Sequence, residues 1–113
     1  MSHRFRQKSF NFEPSKAAVD HFTKTLASNL IHENVAVNCI AQAAVRTDVW
    51  ELAGIPKEMI QPHLDEETKR QPFGGVMSPE DMVEPILMYA TRRIPQLTGQ
   101  RLLLDCGRTQ WPI

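Results

Sequence analysis

The sequence predicts an α/β protein built on parallel strands, and three stretches carry that expectation. Residues 12–34 form a long amphipathic run that opens Phe12-Glu13-Pro14-Ser15-Lys16-Ala17-Ala18-Val19. Residues 35–41, Val-Ala-Val-Asn-Cys-Ile-Ala, are apolar and rich in β-branched side chains, with little polar alternation. That is how a strand covered on both faces reads. A second apolar helix and a short strand at Arg101–Asp105 close the chain. A helix followed by a buried strand is half of a βαβ crossover. In open α/β sheets ligands bind beyond the carboxyl ends of the strands, which directs attention to residues 42–47.

Pro14 suits the first turn of a helix, where its missing N–H costs nothing. Ala18, Phe22, Leu26 and Leu30 then recur every fourth residue, with Val19 beside them, and predict one apolar stripe. His32-Glu33-Asn34 is a polar stop, and Asn34 can take the left-handed conformation that ends a helix. Val35–Ala41 is the expected strand. Thr47-Asp48-Val49-Trp50-Glu51-Leu52 begins a short helix with Thr47 as cap and Gly54 as terminator. Residues 56–70 hold a further helical piece, expected to be broken by Pro62 and to end in a solvated charge run, Asp65 to Arg70. Gln71–Met77 is a loop by its Pro and Gly content. Ser78-Pro79-Glu80-Asp81 is a helix start, with serine as cap, proline at the first position and acids in the first turn. Met82, Val83, Ile86, Leu87 and Ala90 give that helix its apolar face, Pro85 is a point of kinking, and Arg92 and Arg93 complement its carboxyl end. Leu97–Gln100 is a turn before the last strand.

Lys plus Arg and Asp plus Glu number 13 each, so the chain is formally neutral and has no general attraction to nucleic acid or anionic membranes. No run approaches the roughly 20 apolar residues of a membrane span. Cys39 and Cys106 form no Cys-x-x-Cys pair and are expected to be free thiols in a reducing, cytoplasmic setting. His3, His21, His32 and His63 have no ligand spacing with one another or with the cysteines, so no metal is expected. Residues 1–11 are read as a basic, solvated amino-terminal segment, residues 12–107 as the domain, and residues 108–113 as a tail holding Trp111.

Several motifs, in order, resemble the second half of the short-chain dehydrogenase/reductase family. That family writes Tyr-x-x-Ser-Lys-Ala-Ala at the start of its helix, and Ser15, Lys16, Ala17 and Ala18 match. It writes Asn-x-x-x-Pro-Gly-x-x-x-Thr after the strand, and Asn38 and Thr47 match. It ends with Thr-Gly-Gln, an apolar strand and Asp-Gly-Gly, and Thr98, Gly99, Gln100, Asp105 and Gly107 match. Phe12 stands at the tyrosine position, Gln42-Ala43 at the Pro-Gly pair, and Cys106 at one glycine. The resemblance runs from about Phe12 to Gly107. It implies the C-terminal half of a Rossmann-like, doubly wound parallel sheet, in the order helix, strand, short helices, helix, strand. Residues 47–70 would then be the lid over a substrate pocket.

The resemblance also implies a site. Lys16 would be the catalytic-site lysine that holds the nicotinamide ribose and lowers the tyrosine pKa. Lys16, Val45 and Thr47 would be the cofactor-binding residues, toward NAD or NADP. The glycine-rich phosphate cradle and the substrate-orienting serine belong to the half of the fold that precedes these residues, and no Gly-x-x-x-Gly-x-Gly occurs here. The expectation is therefore a truncated short-chain-dehydrogenase-like protein without hydride transfer of its own. It would bind a dinucleotide weakly or not at all and act through association, as a homo-oligomer or with a complementary chain. The alternatives are an oxidoreductase subunit completed by another chain, and a binding module that kept the lid region for a small ligand.

Overall fold

A computed structural model of the chain describes the backbone of residues 12–110 and the side chains of residues 15–109. The basic segment 1–11, the ring at position 12 and Trp111 lie outside that description. The elements in order are α1 (Phe12–Leu30), a 3-10 turn (Ile31–Glu33), β1 (Cys39–Gln42), α2 (Val49–Leu52), α3 (Lys57–Lys69), a 3-10 turn (Pro79–Met82), α4 (Val83–Ala90), β2 (Arg101–Leu104) and a 3-10 turn (Arg108–Gln110). The strands pair as a two-stranded sheet. Cys39 N–H donates to the Gln100 carbonyl at 2.9 Å and Ala43 N–H to that of Leu104 at 2.8 Å. Both partners advance by four residues together, so the strands run parallel, as the sequence predicts. The chain separates into two compact units, residues 1–39 with 92–102 and residues 40–91 with 103–113.

In the first unit α1 ends as expected, with Asn34 at φ 57° in the left-handed region. The stripe is rotated from the predicted one. Phe22 is 61% exposed and Val19 is also exposed, while Thr23 and Ala27 are buried. Thr23 tolerates burial because its hydroxyl donates to the Val19 carbonyl at 2.8 Å. Ala27 is buried where a compact turn comes close: a Cβ on Gly99 would lie 3.5 Å from its methyl. A larger side chain at position 27 would push that turn away.

The expected strand Val35–Ala41 is corrected to Cys39–Gln42, and it is half-covered on its faces rather than buried on both. Residues 35–38 are diverted into a hydrogen-bonded clasp on the 97–100 turn. Val37 N–H donates to Thr98 Oγ1 at 3.1 Å, and Gly99 N–H donates to the Val37 carbonyl at 2.7 Å. Asn38 Nδ2 donates to the Leu97 carbonyl at 3.1 Å, and Asn38 Oδ1 accepts Gln100 N–H at 3.0 Å. Only after these bonds does the regular ladder begin. Arg92, itself at φ 49°, donates to the Asn34 carbonyl at 3.1 Å and to that of Pro95 at 3.3 Å.

In the second unit α3 runs unbroken through Pro62, which corrects the predicted break. Pro62 removes one bond to the Glu58 carbonyl. Both residues are exposed, so water can satisfy the freed oxygen and the remaining turns continue. The charge run is solvated at Asp65, Glu66 and Lys69, but Glu67 is buried. The predicted helix start at Ser78 is present: the Asp81 carboxylate accepts the Ser78 N–H at 2.8 Å and the Ser78 hydroxyl at 3.1 Å. A 3-10 turn precedes α4, which places Pro85 in the first turn of the α-helix, where no kink results.

Replacing Asn38 by Ala removes a donor and an acceptor from the clasp. With each such bond worth about 0.5–1.5 kcal/mol net, the expected loss of stability is about 1–3 kcal/mol. Asn38→Asp keeps the acceptor but sets a carboxylate oxygen, which can only accept, against the Leu97 carbonyl, so it is expected to cost at least as much as Asn38→Ala. Urea unfolding midpoints of the two variants check this order.

Candidate functional site

Lys16 lies exposed on α1, four residues after Phe12, whose backbone opens the helix. One turn further on, Asp20 anchors that helix within the first unit. Its Oδ2 accepts Arg101 Nε at 2.9 Å, and its Oδ1 accepts the Cys39 thiol at 3.6 Å. Asp20 thereby ties α1 to the first residue of each strand. Its partners are 19 and 81 residues along the chain, and no local pattern links them.

Val45 and Thr47 belong to the second unit. Val45 forms an isolated parallel bridge with Met77, and Arg46 N–H donates to the Met77 carbonyl at 2.8 Å. The loop beyond β1 is therefore held by backbone pairing even with Gln42-Ala43 at the Pro-Gly positions. Thr47 is exposed, and its hydroxyl accepts Val49 N–H at 3.4 Å; the cap position of α2 is Asp48, one residue beyond the predicted Thr47, and it makes no side-chain cap bond. Arg46 Nη1 donates to Gln61 Oε1 at 3.3 Å, and Gln61 Nε2 donates to Asp65 Oδ1 at 2.8 Å, which links the loop to α3. Trp50 of α2 meets the His63 ring of α3 edge-on, at 4.8 Å between centroids.

The buried face of α3 and the residues just after it is largely polar. Leu64 is 2% exposed, Glu67 6% and Gln71 1%. Glu67 accepts Arg108 Nη1 at 2.6 Å and has Arg70 Nη1 at 3.7 Å, so its carboxylate is neutralised where water is excluded. Among the described residues Gln71 finds no hydrogen-bond partner for either side-chain polar atom, and neither does the buried Trp50 indole N–H. The sequence signal for Glu67 was weak: one acid in a charge run that periodicity reads as solvated.

After β2, Asp105 closes the turn that carries Arg108. Its carboxylate accepts Gly107 N–H at 3.1 Å and Thr109 N–H at 2.9 Å. The hydrogen bonds from Thr109, then those from Gly107, hold the Asp105 carboxyl below the ordinary aspartate range. Cys106 sits at φ 53°, directly before Gly107 at φ 78°. A non-glycine residue in that region costs about 1–2 kcal/mol, which explains why the family's motif has glycine there. Burial first, and then the charges of Asp105 and Asp81, raise the Cys106 thiol above its usual value. Both cysteines are free thiols. Among the described residues no three metal-ligating side chains come together, and no helix is long and apolar enough to cross a membrane.

A parallel strand entered from a helix, with a lysine near that helix's start and a threonine loop beyond the strand, is one half of a dinucleotide-type α/β oxidoreductase fold. A family model described as enoyl-(acyl carrier protein) reductase matches residues 2–109. The chain belongs to the short-chain dehydrogenase/reductase family. It is 31% identical over 100 residues to a 3-oxoacyl-[acyl-carrier-protein] reductase of Chlamydia pneumoniae, covering 88% of this chain and 38% of the relative. It is 34% identical over 94 residues to a 3alpha-hydroxysteroid dehydrogenase of Mediterraneibacter gnavus, covering 83% and 35%. Among solved structures it superposes on a short-chain dehydrogenase/reductase of unknown function from Caenorhabditis elegans, determined with cofactor. The TM-score is 0.78 at 26% identity, covering 86% of this chain and 37% of that one. The chain thus spans between a third and two fifths of the length of these three relatives.

Gln71→Met replaces the orphaned amide with an apolar chain of similar shape. Since an unsatisfied buried polar group costs about 1–3 kcal/mol, this variant is expected to be more stable than the wild type by about 1 kcal/mol or more. Thermal and urea unfolding would show the opposite sign if a hydrogen bond to the amide were being lost.

Proposed function

We propose that these 113 residues do not transfer hydride by themselves and that they work through association, either between copies or with a complementary chain. The main support is the phenylalanine at position 12. Where the family's motif places the proton-transferring tyrosine, a phenyl ring offers no ionisable hydroxyl. General acid–base catalysis contributes about 10²–10⁴-fold, and that contribution has no donor here. Tyr89, the single tyrosine of the sequence, lies half-buried within α4. The 113 residues also contain no glycine-rich phosphate cradle. Two free thiols suit a reducing, cytoplasmic compartment.

The Phe12→Tyr variant is expected to show no NADH or NADPH turnover with common aldehydes, ketones or alcohols, because the cradle and the orienting serine would still be missing. Clear turnover in a spectrophotometric assay of that variant would refute this.

A second reading, an oxidoreductase subunit completed by another chain, is favoured by the survival of Lys16, Val45 and Thr47 at the family's cofactor positions. Under it, NAD or NADP contacts these residues weakly until the other half joins. Calorimetric titration of the isolated chain with NADH and NADPH is expected to show no sub-micromolar binding, and any weak binding is expected to disappear in Lys16→Ala. Affinity that ignores Lys16→Ala would argue against Lys16 as a cofactor residue.

A further inference from the structure

We propose that the turn after β2, residues 105–109, is a releasable latch on the end of α3, and that the Glu67 carboxylate passes from Arg108 to Arg70 when the latch opens. The turn has its own internal bonds. Asp105 closes it by accepting the Gly107 and Thr109 N–H groups, on either side of Arg108. Three contacts then hold it to α3 and the residues that follow. Arg108 Nη1 donates to Glu67 Oε2 at 2.6 Å, and Phe73 N–H donates to the Cys106 carbonyl at 2.9 Å. Gly107 lies where a Cβ would stand 3.6 Å from both Phe73 Cβ and Pro72 Cγ. All of these groups belong to one compact unit, residues 40–91 with 103–113.

Such a junction opens more readily than a packed core. Among the described residues Leu64 is the one buried apolar side chain of that unit. Segments with few buried apolar contacts open locally, well below the free energy of global unfolding. The obstacle to opening is Glu67, which is buried. A buried carboxylate that loses its counter-ion is left as an uncompensated charge, and that is strongly destabilising.

Arg70 removes the obstacle. It stands at the carboxyl cap of α3, three residues after Glu67, with its Nη1 3.7 Å from Oε1, the carboxylate oxygen that Arg108 does not contact. While the turn is docked, the short charge-assisted bond from Arg108 dominates, and 3.7 Å is beyond hydrogen-bond range. The side chains of Arg70 and Arg108 are each more than a third exposed, so neither is locked in place by packing. When the turn leaves, Arg70 closes on the carboxylate, and no unpaired charge remains. Release frees the end of α3 and residues 71–75 while the β1–β2 bonds stay formed.

Amide hydrogen exchange of the 113-residue chain in low urea, read by NMR, tests the latch. The Phe73 amide is expected to exchange at a rate that urea below the unfolding transition leaves unchanged, because a local opening exposes little surface. Phe73 exchange that follows global unfolding at every urea concentration would overturn the latch. Arg108→Gln is expected to speed Phe73 exchange about tenfold and to leave unchanged the Ala43 amide, which meets Leu104 in the sheet. Equal acceleration of both amides, or of neither, would overturn it too. Urea midpoints test the transfer of Glu67. Arg70→Gln is expected to lower the midpoint about twice as far in the Arg108→Gln background as in the wild type, since Arg70 there holds the carboxylate alone. Equal losses in the two backgrounds would overturn the transfer, and the proposal with it. If Arg108→Gln fails to fold, the wild-type urea dependence of Phe73 exchange decides, a flat rate supporting the latch and a global one overturning it.

Discussion

The first unit depends on the clasp between residues 37–39 and the 97–100 turn. Four backbone and side-chain bonds converge there before any ladder exists, two of them through the single amide of Asn38. That amide behaves like an extra peptide unit, donating on one side and accepting on the other. A tight turn with Gly99 at φ 68° presents its carbonyl and amide groups to it at the required spacing. Pairing of Cys39 with Gln100 follows and sets the register, and both strands leave that point in the same direction, so Ala43 meets Leu104. Asp20 then brings α1 to the same place through Arg101 and the Cys39 thiol. Helix and strand entry are thus held by polar geometry more than by apolar volume.

That balance recurs in the buried set. Among the described residues Ala27 and Leu64 are the buried apolar ones, against Thr23, Glu67 and Gln71 as polar ones. Burying a large apolar side chain contributes about 1.5–3 kcal/mol, and few do so here. Thr23 is satisfied by its own helix and Glu67 by Arg108, but Gln71 has no partner among the described residues. Exposed Phe22, Val19, Ile86 and Leu87 show where apolar surface remains in contact with water. Among the described residues the parallel sheet has two strands, whereas parallel sheets are ordinarily larger and covered on both faces.

The sites of departure from the family's motifs have structural meaning as well as chemical meaning. At Cys106 the chain keeps the left-handed backbone that glycine would adopt freely, so the departure is borne as strain. At Gln42-Ala43 the loop keeps its course, because Val45 and Arg46 pair with Met77. What changes there is hydrogen-bonding capacity: position 42 carries a backbone N–H that proline would lack. At position 12 the change is one of chemistry, the loss of a titratable hydroxyl.

Local signals in the sequence determined much of this protein. The stop at Asn34, the start at Ser78, the Gly99 turn and the order of helices and strands are written in residues whose effect is confined to a few neighbours, and the family motifs of Ser15–Ala18, Asn38 and Thr47 are equally local. Tertiary structure decided the rest, because those outcomes depend on partners far along the chain. Which face of α1 is buried was settled by the close approach of the Gly99 turn to Ala27, against a periodicity that favoured Phe22. Where β1 begins was settled by the clasp, against a β-branched run that favoured Val35. Whether Glu67 is solvated was settled by Arg108, 41 residues away. Periodicity counts apolar residues along one element, and it carries no information about which distant polar group will arrive to satisfy the others.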